Sequence, residues 1–239
     1  TLTIHRTMGY RLSGSGGQNR STSKGWDENR VGTILVWTGP PEKPMLELSG
    51  CTGMVIEGIN FDGKASIGIL IRHGQGSLNI AIRDCGFLHQ AVGIQCGTAF
   101  KEGTCANITY DNCHFRGHAQ ACVRIVSAQS LEHLFLRPQF NFSEVGVDVQ
   151  GGGDVTVVGG GTYELQTFLR LGRIGSNARG FEVQSVRFDG KWTRTQWLAV
   201  ADTDRARTYG AITFRNCSQN HGQKLSDEPL VTAAPGGRV

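Results

Sequence analysis

The chain has 239 residues with 24 Lys and Arg against 20 Asp and Glu, a net charge of +4, and 34 glycines but only 8% aromatic residues. That length suits one elongated domain with a continuous core, and no second domain is required. The basic residues are scattered, with no basic run and no aromatic-interleaved basic stripe, which argues against a nucleic-acid partner; no run of about 18 apolar residues and no charged-then-apolar leader is visible, so neither a membrane span nor an export signal can be read.

In chain order, Thr1 to Ile4 reads as a strand, residues 13–30 as a long polar loop rich in Gly and Ser, and Gly32 to Trp37 as a further strand. Then a short phrase recurs with steps of two, three and two: Met54, Ile56, Ile59, Phe61; Ile80, Ile82, Cys85, Phe87; Ile108, Tyr110, Cys113, Phe115; Phe181, Val183, Val186, Phe188; and Ile212, Phe214, Cys217. Weaker copies at Leu134, Leu136 and at Val155, Val157 fill the middle, so the period is roughly 25 residues, within the range of solenoids. A repeat protein buries its apolar face only by stacking neighbouring units. Alternation breaks at Gly58, Asp84, Asn112, Gly159, Ser185 and Asn216, residue types that tolerate left-handed backbone, so a bend is expected there.

A second strand follows in each repeat: Gly68 to Arg72, Gly93 to Cys96, Cys122 to Val126, Gly146 to Gln150, Phe168 to Leu171 and Trp197 to Val200. Ile69 and Ile71, Ile94 and Cys96, Val123 and Ile125, Val147 and Val149, and Leu169 and Leu171 are taken as inward, which puts the residue between each pair outside. The stretch from Pro229 to Val239 reads as the approach to another strand. The expected fold is an all-β, single-stranded parallel β-helix over 1–239, a fragment without caps. A leucine-rich repeat is the competitor, because Ile80-x-Ile82-x-x-Cys85-x-Phe87 imitates its strand signature; the second β-branched strand, the excess of Ile and Val over Leu, and the glycine at every turn count against it.

The seven cysteines include no C-x-x-C pair, so neither a disulfide framework nor a zinc site is indicated. Cys85, Cys113 and Cys217 share one inward position and read as core, while Cys96 and Cys105 flank a short loop and form the one pair that a disulfide could join.

Asn79-Ile-Ala-Ile-Arg-Asp-Cys-Gly-Phe87, Asn107-Ile-Thr-Tyr-Asp-Asn-Cys-His-Phe115 and Val55-Ile-Glu-Gly-Ile-Asn-Phe-Asp-Gly63 carry a resemblance from Leu2 to about Cys217. In these segments the chain resembles the right-handed parallel β-helix proteins of the pectate lyase-like superfamily. That resemblance implies a carbohydrate-active protein, outside the cell or on a cell or virion surface. It also covers non-catalytic tailspikes and adhesins, so fold alone does not choose. The expectation is a polysaccharide lyase acting on an acidic polysaccharide, monomeric if an enzyme. The alternatives are a glycan-recognition or structural β-helix, trimeric if tailspike-like, and a glycoside hydrolase.

Three sets of residues are candidates for the chemistry. The outward column Leu70, Gln95, Arg124, Asp148, Arg170, Ala199 places Asp148 between two guanidinium groups, which either hold uronate carboxylates or form a salt-bridge ladder. Glu57, Arg83, Asp111 and Arg137 form a second alternating column. A turn column of Lys64, His89, His118 and Glu164 offers a base: Lys64 would disfavour protonation of His89, leaving His89 or His118 neutral to accept a proton. Substrate binding is assigned to Arg124, Asp148 and Arg170, with Trp26 over a sugar; Trp192 and Trp197 either do the same or fill gaps. No paired aspartates of the polygalacturonase type and no stacked aspartates for calcium are found. Asp202 and Asp204 are the only calcium-loop candidates, so no metal or other cofactor is assigned.

Overall fold

The computed structural model describes residues 1–16, 32–101, 103–172, 180–190, 195–200, 211–221 and 231–233. Among them there is no helix, and every strand pairing is parallel, so the leucine-rich alternative is excluded and the chain is a β-solenoid. Trp26, most of the 13–30 loop, Trp192, Asp202 and Asp204 lie outside the described residues.

Each coil carries three strands, one beyond the two read as the minimum from the sequence. The first face stacks Ser77–Arg83, Cys105–Asp111, His133–Leu136, Val155–Val158, Gly180–Gln184 and Ala211–Arg215 in one eight-stranded sheet. The second face stacks His114–Arg116, Gln139–Asn141, Gly161–Tyr163, Arg187–Gly190 and Ser218–His221. The third stacks Leu46–Ser49, Ala121–Ile125, Val145–Val149, Thr167–Leu171 and Gln196–Val200. The long strands Ile59–His73 and Gly86–Cys96 run through both, so the second and third faces are one creased 15-stranded sheet.

The expected bends are real. Gly58, Asp84, Asn112, Gly159, Ser185 and Asn216 all have φ between 51° and 68°. Arg137 joins them at φ 52°. Stacked turns bond across coils, with the Asn112 side-chain amide donating to Asp84 at 2.7 Å and that of Asn107 to Asn79 at 3.1 Å.

The residue three places after each bend points inward on the second face. Phe61, Phe87, Phe115 and Phe140 stack there with centroids 5.4, 4.8 and 5.3 Å apart. Thr162 interrupts the column, and the spine crosses to Phe168, Phe188 and Trp197 at 5.8, 5.0 and 4.9 Å. Trp197 therefore fills the lumen, its indole N–H donating to Gln219. Offset and edge-to-face pairs of this kind add ~0.5–1.5 kcal/mol each beyond area burial.

All seven cysteines are free, including Cys96 and Cys105. Cys85, Cys113 and Cys217 each donate the thiol to the carbonyl two residues earlier, at 3.1, 3.6 and 3.4 Å, and to a carbonyl of the preceding coil. Burial pushes the Cys85 and Cys122 thiols up to about 12, so neither is a nucleophile near neutral pH.

Candidate functional site

The third face carries the first charged column in a corrected register. Pairing runs Glu47, Arg72, Gln95, Arg124, Asp148, Arg170, Ala199. Leu70 is not part of it; it is fully buried, and Arg72 takes the place, bonded to Glu47 at 2.9 Å. Extra residues around 63–68 shift the pairing there, and His73 rather than Ile69 becomes the inward partner of Ile71.

Asp148 is 1% exposed and accepts four bonds: from Arg124 Nε at 3.1 Å, Gln150 at 2.9 Å, and Arg170 Nε and Nη2 at 2.9 and 3.0 Å. Arg170 also meets Glu144 at 3.6 Å, and its pKa is raised chiefly by the Asp148 hydrogen bond. Both guanidinium groups are thus committed to carboxylates of the protein itself. Of the two readings of this row, the geometry matches the ladder.

The second charged column is also partly revised. Glu57, Arg83 and Asp111 are in register, but the next partner is Leu136. Arg137 sits one residue on, in the turn, and reaches back to Asp111 at 2.7 Å. Glu57 is held by Arg11 through two 2.8 Å bonds.

The turn column between the second and third faces contains Lys64, His89, Gly117, Phe142 and Glu164, with φ of 52°, 54°, 72°, 48° and 53°. His118 is one residue beyond this position. A one-residue step exchanges outside for inside, and His118 is accordingly 1% exposed, its ring nitrogens 3.0 and 3.1 Å from the carbonyls of Gln90 and Phe87. Burial lowers its pKa to about 4. It is a buried structural histidine with no route to a polymer.

His89 is placed differently. Its side chain is 27% exposed, and Nδ1 lies 3.2 Å from Oδ1 of Asp62 on the preceding coil. The same Asp62 oxygen accepts the backbone N–H of Lys64 at 3.0 Å. The imidazole therefore has a carboxylate partner at Nδ1, where Lys64 had been expected to dominate. A carboxylate accepting from Nδ1–H leaves the lone pair on Nε2, the arrangement of an oriented general base. Arg124 is on the far side of the crease: its partner Gln95 is six residues beyond His89, about 20 Å of strand path. His89 and the Arg124–Asp148–Arg170 row do not form one site.

Beside His89, the outward positions of the second face are Asp62, Leu88, Arg116, Asn141, Tyr163 and Asp189 in one column, and Asn60, Gly86, His114, Gln139, Gly161 and Arg187 in the other. The later coils of these columns hold a groove of about 410 Å³, lined by His114, Arg116, Gln139, Asn141, Phe142 and Tyr163 together with Thr162 and Asp189. Phe142 is 45% exposed, a bulky residue in left-handed backbone, which normally signals a constraint. Its ring meets Tyr163 edge-on at 5.2 Å, and the Arg116 guanidinium lies over it at 4.4 Å. Counting two residues forward from the inward Phe140 would have found it. Another hollow, about 390 Å³, lies on the first face, where Glu182 and Arg215 pair at 3.8 Å.

Among the described residues no group of three or more His, Cys, Asp or Glu is placed to hold a metal ion. No family model, curated protein or solved structure matches the chain.

Proposed function

We propose that this β-solenoid is a carbohydrate-active protein that binds an acidic polysaccharide along the outside of its second face and cleaves it by elimination. The observation that carries the reading is the Asp62–His89 pair, a partly exposed imidazole oriented by a buried carboxylate, on the coil before Arg116, which lines the groove. His89 Nε2 would take the proton from the carbon next to the uronate carboxyl. The C–H electron pair becomes a ring double bond, the glycosidic C–O bond in the β position breaks, and the departing oxygen takes a proton from water. Arg116, on the strand next to Leu88, supplies the positive charge nearest that carboxyl. Lys64, exposed in the same turn column, stays in the reading as a second contact for the acidic chain.

The roles first given to Arg124, Arg170 and His118 pass to Arg116 and His89 in this reading. The former are spent on Asp148 and the latter is enclosed. The test is absorbance in the unsaturated-uronate band while the protein is incubated with acidic polysaccharides, for the wild type and for His89→Gln. A rise that depends on His89 supports elimination. Binding without a rise in the wild type moves the protein to the recognition class.

A further inference from the structure

Buried polar groups in folded proteins almost always have partners, and an uncommitted set converging on one cavity calls for an explanation. The groove on the second face brings two such groups, on Asn141 and Asp189, together with two half-buried ones, on Gln139 and Tyr163. The Asn141 side chain is 5% exposed yet makes no hydrogen bond among the described residues. The Gln139 amide and the Tyr163 hydroxyl, on either side of it, make none either. Asp189 uses Oδ2 on Arg187 at 2.7 Å, while its Oδ1 is buried without a partner. Two carboxamides, a phenol and a carboxylate oxygen thus offer both donors and acceptors to one space. The exposed Phe142 ring, held by Tyr163 and Arg116, stands at its edge.

We infer that this groove is a subsite for a neutral pyranose. The ring's C–H face would pack on Phe142, and its hydroxyls would bond Gln139, Asn141, Tyr163 and the free oxygen of Asp189. Its volume falls at the small end of ligand pockets, ~300–1,000 Å³, the size of a short saccharide rather than a large cofactor. The charge balance selects a neutral sugar. Arg187 is already paired with Asp189, and the unpartnered oxygen of Asp189 would repel a uronate carboxylate placed against it. The number of unspent polar groups is equally wrong for an apolar peptide side chain.

The inference rests on the polysaccharide reading above and sharpens it. Phe142 lies two strands from His89 in the turn column, ~10 Å, with only Gly117 between them. A substituent Cβ on Gly117 would come within 3.2 Å of the His89 ring, so glycine keeps the passage open. The substrate is therefore a mixed chain in which a neutral sugar occupies the groove while a uronate faces His89.

The experiment is calorimetric titration of the protein with two sets of probes: oligosaccharides joining a uronate to glucose, galactose, mannose or xylose, and pure oligouronates of equal length. Phe142→Asn is the informative variant, because Asn accepts left-handed backbone and removes the ring without threatening the fold. Asn141→Leu removes the buried amide at similar volume. The expected result is tighter binding of one mixed series, a loss of at least tenfold in Phe142→Asn and Asn141→Leu, and no change for pure oligouronates. Equal affinity for both series, unaltered in Phe142→Asn, overturns the subsite and leaves the acidic-polysaccharide reading standing. Wild-type protein that binds neither series overturns both.

Discussion

His89 Nδ1 stands 3.2 Å from Asp62 Oδ1, and the two belong to successive coils, so the pair exists only when those coils are stacked. The carboxylate selects the tautomer and aims the ring. Removing it should disturb chemistry while leaving the groove intact.

Asp62→Asn and His89→Gln are each expected to lower elimination by ~10²–10⁴-fold, the usual range for a general base. Affinity for the polysaccharide should stay within a few-fold, because Phe142, Asn141 and Arg116 are untouched. Initial rates from the unsaturated product and calorimetric Kd values on the same preparations check this; parallel loss of both would show that the pair is structural.

Asp148 holds together a ladder that is largely out of solvent. Asp148→Ala leaves Arg124 and Arg170 facing one another and should cost ~3–5 kcal/mol, as breaking a buried pair from one side does. Arg124→Ala and Arg170→Ala should lower stability without altering glycan affinity. Denaturant melts and a binding assay on the single variants separate the two effects.

Three histidines are buried and one, His114, is half-buried, all in neutral form. Desolvation lowers His73 to about 3 and His114, His118 and His133 to about 4, with His133 further disfavouring a proton on His73. These values lie below the unfolded value of about 6.5, so the unfolded chain binds more protons in between. Their contribution is fully present above pH 6.5 and is lost as pH falls towards 4. Tm should drop across that window. Neither ring nitrogen of His73 has a hydrogen-bond partner, and its coil neighbours at this position are Leu48 and Cys96. His73→Leu should therefore flatten the acid limb, and Tm measured at intervals from pH 7 to pH 4 shows whether it does.

Phe115 lies between Phe87 and Phe140, at 4.8 and 5.3 Å. Phe115→Ala opens the middle of the stack and is expected to cost ~3–5 kcal/mol. Chemical denaturation provides the number; a cost below 1 kcal/mol would mean that the coils collapse around the gap.

The two-three-two spacing made the fold legible because inward Ile, Cys and Phe recur at fixed intervals and the bends fall on Gly, Asn, Asp and Ser. The site was less legible for a geometric reason. Faces alternate with every residue, so small errors in counting around turns of unequal length move side chains through the wall. Counting back from the third face selected His118 where Gly117 holds the turn, and extra residues near 63–68 hid Arg72 behind Leu70. Counting two residues forward from Phe87, Phe115 and Phe140 lands on His89, Gly117 and Phe142, although from Phe61 it falls one short of Lys64. Nothing local marks Asp62 as the partner of His89; the contact joins residues 27 apart and depends on the stacking.

The inward thiols have a consequence for following the molecule in solution. Six of the seven cysteines are buried and Cys217 is half-buried, and they are spread from Cys51 to Cys217 along the stack. An alkylating reagent reaches each of the six buried ones only when its own coil opens. Mass spectrometry of the modified peptides would therefore time the opening of successive coils from the chain's own residues, with no label introduced, and show whether the stack frays from its ends or parts in the middle.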